Sequence, residues 1–114
     1  MKECLFCAII TGDMAATRVY EDEQIVAVED VNPQAPVHLL ILPRKHIPSP
    51  AHIQEEDREL IGNIFLVAGK LAKERGIEAS GYRVVVNCNR DAGQSIFHLH
   101  YHLLGGRKMG WPPG

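Results

Sequence analysis

One long segment of this sequence, residues 55–75, has helical periodicity. Its apolar residues recur at i, i+3, i+4 and i+7 spacing and are Leu60, Ile61, Ile64, Phe65, Ala68, Leu71 and Ala72. Acidic residues occupy the first turn, Lys73 and Arg75 lie in the last turn, and Gly76 follows as a stop signal. The pattern therefore predicts one amphipathic helix that packs a single face against a core.

Short β-like runs lie on both sides of this helix. Strand-forming residues are concentrated in residues 18–21, 25–28, 37–42, 82–88 and 96–104. A polar turn at residues 22–24 predicts that the first two runs form a hairpin, and residues 4–11 predict a short helix that ends before Gly12. This order predicts an α+β fold with a five-stranded, mainly antiparallel sheet, in one domain covering residues 1–114.

The charge balance and the apolar runs exclude several classes of partner. Twelve basic and 14 acidic residues give a formal net charge of −2, so nothing indicates binding to a nucleic acid polymer or to an anionic membrane. The first apolar run is too short for a signal peptide, and no later run reaches ~18 apolar residues. Three cysteines cannot form a fully paired disulfide framework. We therefore expect a cytoplasmic protein whose cysteines bind a metal or have no special role.

Three histidines, His98, His100 and His102, alternate within five residues. Alternate positions of a strand share one face, so the spacing predicts a row of imidazoles. Three interpretations stay open: a chance surface cluster, a three-histidine metal site of the hydrolytic zinc type, or nucleophilic catalysis. Imidazole is largely neutral near neutral pH, and a phosphorylated imidazole is reactive, so one histidine can accept and release a nucleotidyl group. Residues 93–95, directly before the row, offer backbone N–H groups and a hydroxyl to phosphoryl oxygens.

The same segment resembles a known family. The run His98-Leu99-His100-Tyr101-His102-Leu103-Leu104 matches the signature of histidine triad (HIT) proteins, His-x-His-x-His followed by two apolar residues, at every position. The similarity extends through residues 30–38, Asn87 and residues 93–95, 105–107 and 111–114. Together these segments resemble the histidine triad nucleotide-binding branch, also called purine nucleoside phosphoramidases. The resemblance implies a symmetric homodimer in which two five-stranded sheets join edge to edge into one ten-stranded sheet.

The resemblance also implies a role for each matching residue. His100 is the catalytic nucleophile: it attacks the α-phosphate of an adenosine or guanosine phosphoramidate, expels an amine and forms a nucleotidylated enzyme. Water then releases the purine nucleoside monophosphate. His102 holds a phosphate oxygen, Ser95 donates to the leaving group, and His98 belongs to the same catalytic row. The other implied substrate-binding positions are Asp30 and Val31 at the ribose, Asn87 and the backbone of Gly93, Gln94 and Ser95 at the phosphate, His38 as an orienting residue and Trp111 in substrate preference.

The Cys4-x-x-Cys7 pair has the spacing of zinc half-sites and of redox motifs. A redox site should follow a strand, and only three residues precede Cys4, so zinc is favoured over a redox site or a coincidence. His46 and His98 are the best candidates for two further ligands of a Cys₂His₂ site. Superfamily members with the cysteine pair, including galactose-1-phosphate uridylyltransferases, resemble this arrangement and use the first triad histidine as a ligand. A closed four-ligand site is structural and leaves His100 free for catalysis.

We therefore expect a hydrolase that cleaves the P–N bond of purine nucleoside phosphoramidates through a nucleotidylated histidine. Two alternatives stay open: a nucleotide-binding regulatory or scaffold protein with incidental hydrolase activity, and a dinucleoside polyphosphate hydrolase. A chelator would inactivate a three-histidine metallohydrolase, whereas it would affect only the stability of the expected enzyme. Taken without the resemblance, Asp30 and Asn87 are also typical turn and loop residues, and Ser95 can simply close a turn.

Overall fold

The computed structural model of the protein describes residues 4–114. In this part of the chain the helices and strands are, in order, α1 (Leu5–Thr11), β1 (Arg18–Glu21), β2 (Ile25–Glu29), β3 (Val37–Pro43), α2 (Arg58–Glu74), β4 (Tyr82–Val85) and β5 (Tyr101–Gly105). Cys4 caps α1, because its Sγ accepts a hydrogen bond from the Cys7 N–H. Gly12 ends this helix in the left-handed conformation, with a φ of 90°.

The five strands form one antiparallel sheet in the order β1-β2-β3-β5-β4. β1 and β2 are the predicted hairpin, and Asp22 closes its turn by accepting from the N–H groups of Gln24 and Ile25. The α+β fold with one long helix and a short N-terminal helix is thereby confirmed, and the ten-stranded dimer stays a prediction. Within residues 4–114, no helix combines the length and the apolar character needed to cross a membrane.

The long helix α2 covers one face of the sheet. Its buried residues Leu60, Ile64, Val67, Ala68 and Leu71 share a core with Leu39, Ile41, Leu99, Tyr101 and Leu103 from the sheet side. Full burial of one such leucine or isoleucine side chain stabilises the fold by roughly 1.5–3 kcal/mol. Phe65, which the periodicity places on the core face, is instead half exposed. Its ring forms a T-shaped pair with the ring of Tyr101, with the ring centroids 5.6 Å apart.

The opposite face of the sheet is covered by α1. Phe6 and Ile9 of this helix pack with Val26, Val28, Leu40 and Leu42. Side chains alternate along a strand, so β3 directs Leu39 and Ile41 toward α2 and His38 and Leu40 toward the α1 face. His102 pairs with Leu40 across the sheet and therefore also lies on the α1 face.

The last strand begins later than predicted. The sequence pattern indicates a strand over residues 96–104, whereas β5 begins at Tyr101, so of the three triad histidines only His102 lies on it. Ile41 pairs with Tyr101, and continuing this register would place Pro43 opposite Leu99. Proline has no N–H to donate to the ladder, and the Leu99 N–H donates to the Ile47 carbonyl instead, at 2.6 Å. The predicted start of this strand is therefore wrong. The predicted alternation is kept, because the three histidines lie on the α1 face while Leu99, Tyr101 and Leu103 pack in the core with α2.

Two other boundaries also move. β4 ends at Val85, not at Cys88. α2 begins at Arg58 and is preceded by a 3₁₀ turn over Glu55–Asp57. There the buried Asp57 carboxylate accepts the Gln54 N–H and binds Lys45 Nζ at 2.6 Å, which fixes the entry to the helix.

Candidate active site

A cleft of about 380 Å³ opens on the α1 face of the sheet. It brings together seven of the predicted site residues, which are Asp30, Val31, Asn87, Gly93, Ser95, His100 and His102. They come from the end of β2, the segment between β4 and β5, and β5 itself. Four other predicted residues do not line the cleft: the side chains of Gln94, His38 and His98 are buried beside it, and Trp111 is 84% exposed near the end of the chain.

His100 is held with one ring nitrogen free. Its Nδ1 lies 2.8 Å from the carbonyl oxygen of His98. A carbonyl only accepts, so Nδ1 carries the hydrogen and Nε2 of the neutral ring keeps its lone pair. Burial lowers the pKa of His100, against the opposing hydrogen bond to His98 and the charge of Asp30. The ring is therefore neutral near neutral pH, which is the state that a nucleophile requires.

His102 is oriented by His38. The Gln34 N–H donates to His38 Nδ1 at 2.9 Å, so the hydrogen of the neutral His38 ring is on Nε2. This Nε2–H faces His102 Nδ1 at 2.9 Å and Asp30 Oδ2 at 3.3 Å. His102 therefore accepts at Nδ1 and keeps an Nε2–H donor for the cleft that it lines. Burial, then repulsion from His100 and His38, lowers the pKa of His102 to about 4, so this donor is a neutral imidazole.

The loop of residues 87–95 forms another part of the cleft. The N–H groups of Gly93 and Gln94, predicted to hold phosphate, already donate within the loop to the carbonyls of Arg90 and Asn89. The Gln94 side chain is buried and makes three hydrogen bonds: it accepts from the Asn89 N–H and donates to the carbonyls of Pro48 and Ile96. Gln94 thus fixes the loop, while the exposed Ser95 lines the cleft.

The four predicted metal ligands meet beside the cleft. The ligand atoms of Cys4, Cys7, His46 and His98 all lie within 4.8 Å of one another. His98 Nε2 donates to the Pro43 carbonyl at 2.8 Å, so the Nδ1 lone pair of the neutral ring points to the thiols, at 3.5 Å from each Sγ.

These distances fit a tetrahedral metal. Zn–S bonds of about 2.3 Å and Zn–N bonds of about 2.05 Å give S–N edges of about 3.6 Å and an N–N edge of about 3.3 Å. The corresponding separations are 3.3 Å from Cys7 Sγ to His46 Nδ1 and 3.2 Å between the Nδ1 atoms of His46 and His98. Burial, then the neighbouring Cys4, raises the pKa of Cys7 to about 11, and a bound cation would reverse this by favouring the thiolate. The donor set therefore forms a possible metal-binding group.

One wall of the cleft was not predicted. It is apolar and comes from the N-terminal segment, with Leu5, Phe6, Ile9, Met14, Ala15 and Ala16. The Phe6 ring lies 4.8 Å from the His100 ring, centroid to centroid. In the sequence these residues resemble ordinary core or loop residues. A usable signal is the position of Phe6 between Cys4 and Cys7, because a metal site shared with His98 brings Phe6 to the triad.

Comparison with known proteins agrees with this arrangement. The family model described as "Scavenger mRNA decapping enzyme C-term binding" matches residues 3–111. An uncharacterized HIT-like protein from Synechocystis is 43% identical over 113 residues, which are 99% of this chain and 98% of that protein. A HIT family hydrolase from Legionella pneumophila has a crystal structure with a TM-score of 0.97 and 51% identity, covering 98% of this chain and 100% of that chain. A histidine triad nucleotide-binding protein from Candida albicans has a TM-score of 0.83 and 30% identity, covering 96% and 83%.

These similarities extend over nearly the whole chain and include the fold as well as the sequence. The family signature at residues 98–104 lies at the cleft, with His100 and His102 lining it. The predicted family is therefore confirmed: the chain belongs to the histidine triad family.

Proposed function

We propose that this protein hydrolyses purine nucleoside phosphoramidates, such as those of AMP and GMP, through a nucleotidylated His100. The observation that carries the proposal is the hydrogen bond from His100 Nδ1 to the His98 carbonyl at 2.8 Å. It leaves Nε2 unprotonated in a cleft where His102 offers a neutral donor. A neutral nucleophile beside neutral donors suits attack on an anionic phosphorus centre, where positioning provides most of the catalysis.

In the proposed first step, His100 Nε2 forms a bond to phosphorus while the P–N bond to the leaving group breaks. The leaving nitrogen takes up a proton that solvent supplies through the Ser95 hydroxyl, and it departs as a free amine. In the second step, the oxygen of a water molecule forms a bond to phosphorus while the bond between phosphorus and His100 breaks. The nucleoside monophosphate is released, and the proton of the attacking water returns to solvent. His102 Nε2–H donates to a phosphate oxygen in both steps, and Asn87 offers a second donor.

The nucleoside part of the substrate is assigned to the rest of the cleft. Asp30 lies at its edge, where Oδ2 has capacity to accept from a ribose hydroxyl, since Oδ1 accepts the Asn32 N–H. Val31, with 97% of its surface exposed, is available to pack beside the ribose. We assign the purine base to the apolar wall of the cleft. The similarity to the Candida albicans nucleotide-binding protein supports the same ligand class.

The proposal includes a structural zinc ion and a homodimer. Zinc would be held by Cys4, Cys7, His46 and His98, with no part in the reaction, because the cluster is closed by four protein ligands. Dimerisation through α2 and the edge strand β4 is supported by the exposed Phe65 and Leu66 on the helix. We further propose that residues 1–114 form a single domain and that it works in the cytoplasm, where the thiols stay reduced.

The test is hydrolysis of adenosine 5′-phosphoramidate by the wild type, His100→Asn and His52→Asn. His52 is an exposed histidine outside the cleft and serves as the matched control. We expect His100→Asn to lose turnover and His52→Asn to keep it, and rapid quenching of the wild type in alkaline denaturant, where a P–N bond to histidine survives, should trap a nucleotide on His100. Turnover that survives in His100→Asn would refute the mechanism. Binding of AMP without turnover in the wild type would favour a nucleotide-binding regulatory protein.

A further inference from the structure

We propose that metal bound by Cys4, Cys7, His46 and His98 controls how tightly the cleft binds nucleotide, because the metal fixes the part of the apolar wall formed by Leu5 and Phe6. This inference rests on the proposed function, since it concerns the affinity for the purine nucleotide that this function requires. It goes beyond a purely structural metal, whose removal would change overall stability and nothing else.

Two of the metal ligands, Cys4 and Cys7, and two residues of the wall, Leu5 and Phe6, lie in the cap and first turn of α1. Phe6 lies between Cys4 and Cys7 in the sequence and is 3% exposed. Its ring centroid lies 6.1 Å from that of His98, which is a predicted ligand, and 4.8 Å from that of His100. The wall offers apolar surface and no side-chain hydrogen bonds, so its contribution to affinity depends on close packing against the ligand. A displacement of this turn would open the cleft on the nucleobase side.

Few other contacts in the described chain hold this turn. α1 has seven residues, and a helix of this length is not stable in isolation. Its first turn contains no acidic residue and its last turn no basic residue, so side-chain charges do not stabilise its dipole. Arg18 holds the far end, where its Nη2 donates to the carbonyls of Ile9 and Ile10 at 2.7 and 3.0 Å. The near end, which lines the cleft, depends on the burial of Phe6 and on the two thiols.

The His100 ring packs against Phe6, but the hydrogen bonds that orient it do not involve the metal. His98 Nε2–H donates to the Pro43 carbonyl, and the Leu99 N–H donates to the Ile47 carbonyl. The His98 carbonyl that orients His100 therefore keeps its place when the Nδ1 of His98 loses a metal. Removal of the metal should loosen the wall and leave the nucleophile oriented, which lowers affinity without slowing the chemical step.

The experiment titrates AMP into the full-length protein and measures Kd by calorimetry. Three preparations are compared: zinc-loaded wild type, chelator-treated wild type and Cys4→Ser. Serine is a strong N-cap residue, so Cys4→Ser keeps an acceptor for the Cys7 N–H while it removes one thiolate ligand. We expect the Kd for AMP to rise about tenfold in both metal-poor preparations, while kcat for adenosine 5′-phosphoramidate changes by less than about twofold.

Two further readouts do not involve turnover. By linkage, AMP must raise the affinity for zinc by the same factor of about ten, and competition with a chromophoric zinc chelator measures this factor. Hydrogen exchange should show faster exchange of the α1 amides in the metal-free protein and unchanged exchange in β3 and β5. Ile64→Val is the matched control, because it loosens the core on the opposite face of the sheet and should keep the affinity for AMP.

Equal AMP affinity with and without metal, in protein that keeps its far-UV circular dichroism, would overturn the inference and leave the proposed function intact. An equal loss of affinity in Ile64→Val would also overturn it, because the metal would then act through overall stability. Absence of AMP binding by the zinc-loaded wild type would also overturn the inference, whereas absence of turnover of adenosine 5′-phosphoramidate would instead refute the proposed function.

Discussion

His102 makes the stability of the folded protein depend on pH. Burial is the largest cause that lowers its pKa from 6.5 to about 4, and repulsion from His100 and His38 adds to it. As the pH falls below about 6.5, the unfolded chain binds a proton that the folded protein does not bind until about pH 4. The contribution of His102 to the free energy of unfolding is therefore fully present above about pH 6.5 and is lost progressively between these two values.

The size of this loss follows from the two pKa values. With 6.5 in the unfolded chain and about 4 in the folded protein, linkage gives a loss of about 2 kcal/mol between about pH 7.5 and about pH 5. Burial also lowers the pKa values of His38, His98 and His100, so the wild type should lose more than this amount. Comparison with a variant that lacks His102 isolates the part of this loss that is due to His102.

The assay is urea unfolding of the wild type and His102→Gln at both pH values. We expect the wild type to lose about 2 kcal/mol more than the variant on acidification. Release of any bound metal at low pH affects both proteins and cancels in the comparison. Ile64→Val, which lowers stability without removing a titratable group, should keep the wild-type pH dependence. If the wild type and His102→Gln lost the same free energy of unfolding on acidification, the pKa of His102 would be the same in the folded and unfolded states. The argument that burial lowers this pKa would then be refuted.

Substitutions at three other positions test the packing. Gly62→Ala places a Cβ where nothing lies within 4 Å on α2 and should stabilise the protein by roughly 0.5–1 kcal/mol. Gly105→Ala puts a Cβ 2.5 Å from Ile77 Cδ1 and 3.1 Å from Ile77 Cβ, so urea unfolding should show a loss of about 1–3 kcal/mol. Gln94→Leu leaves the Asn89 N–H without its partner and should cost about 1–3 kcal/mol. It should also raise KM. Equal stability of the two alanine variants, or a Gln94→Leu variant as stable as the wild type, would contradict these expectations.

Local patterns predicted most of the fold. The hairpin of β1 and β2 and the long helix depend on neighbouring residues, namely a polar turn, a 3.6-residue period and the stop at Gly76. The start of β5 depends on a pairing across the sheet, because Pro43 cannot support the ladder opposite Leu99. The spacing within residues 96–104 carries no information about Pro43, the residue across the sheet. The alternation rule therefore placed His98 and His100 on the strand, although the strand begins only at Tyr101.

The sequence predicted the polar and metal-binding residues of the candidate site better than the apolar residues that line the cleft. The Cys4-x-x-Cys7 pair has a recognisable spacing, and the structure brings it together with the two other predicted ligands, His46 and His98. The roles of the individual cleft residues stay predictions until variants are assayed. In the sequence, Phe6 and Ile9 cannot be told apart from ordinary core residues. They line the cleft only because α1 docks on this part of the sheet. Docking of a seven-residue helix is a tertiary property that periodicity does not encode.

The sheet has two faces, and different side chains pack on each of them. The chemistry lies with α1 on one face, and the largest apolar core lies with α2 on the other. Substitutions on opposite faces lie far enough apart for their energetic effects to add. Substitutions on the exposed surface of α2 should therefore change how this face binds a partner while the histidines on the other face keep their hydrogen bonds. In a fold arranged in this way, substitutions on the α2 face can change which partners bind without changing the cleft on the α1 face.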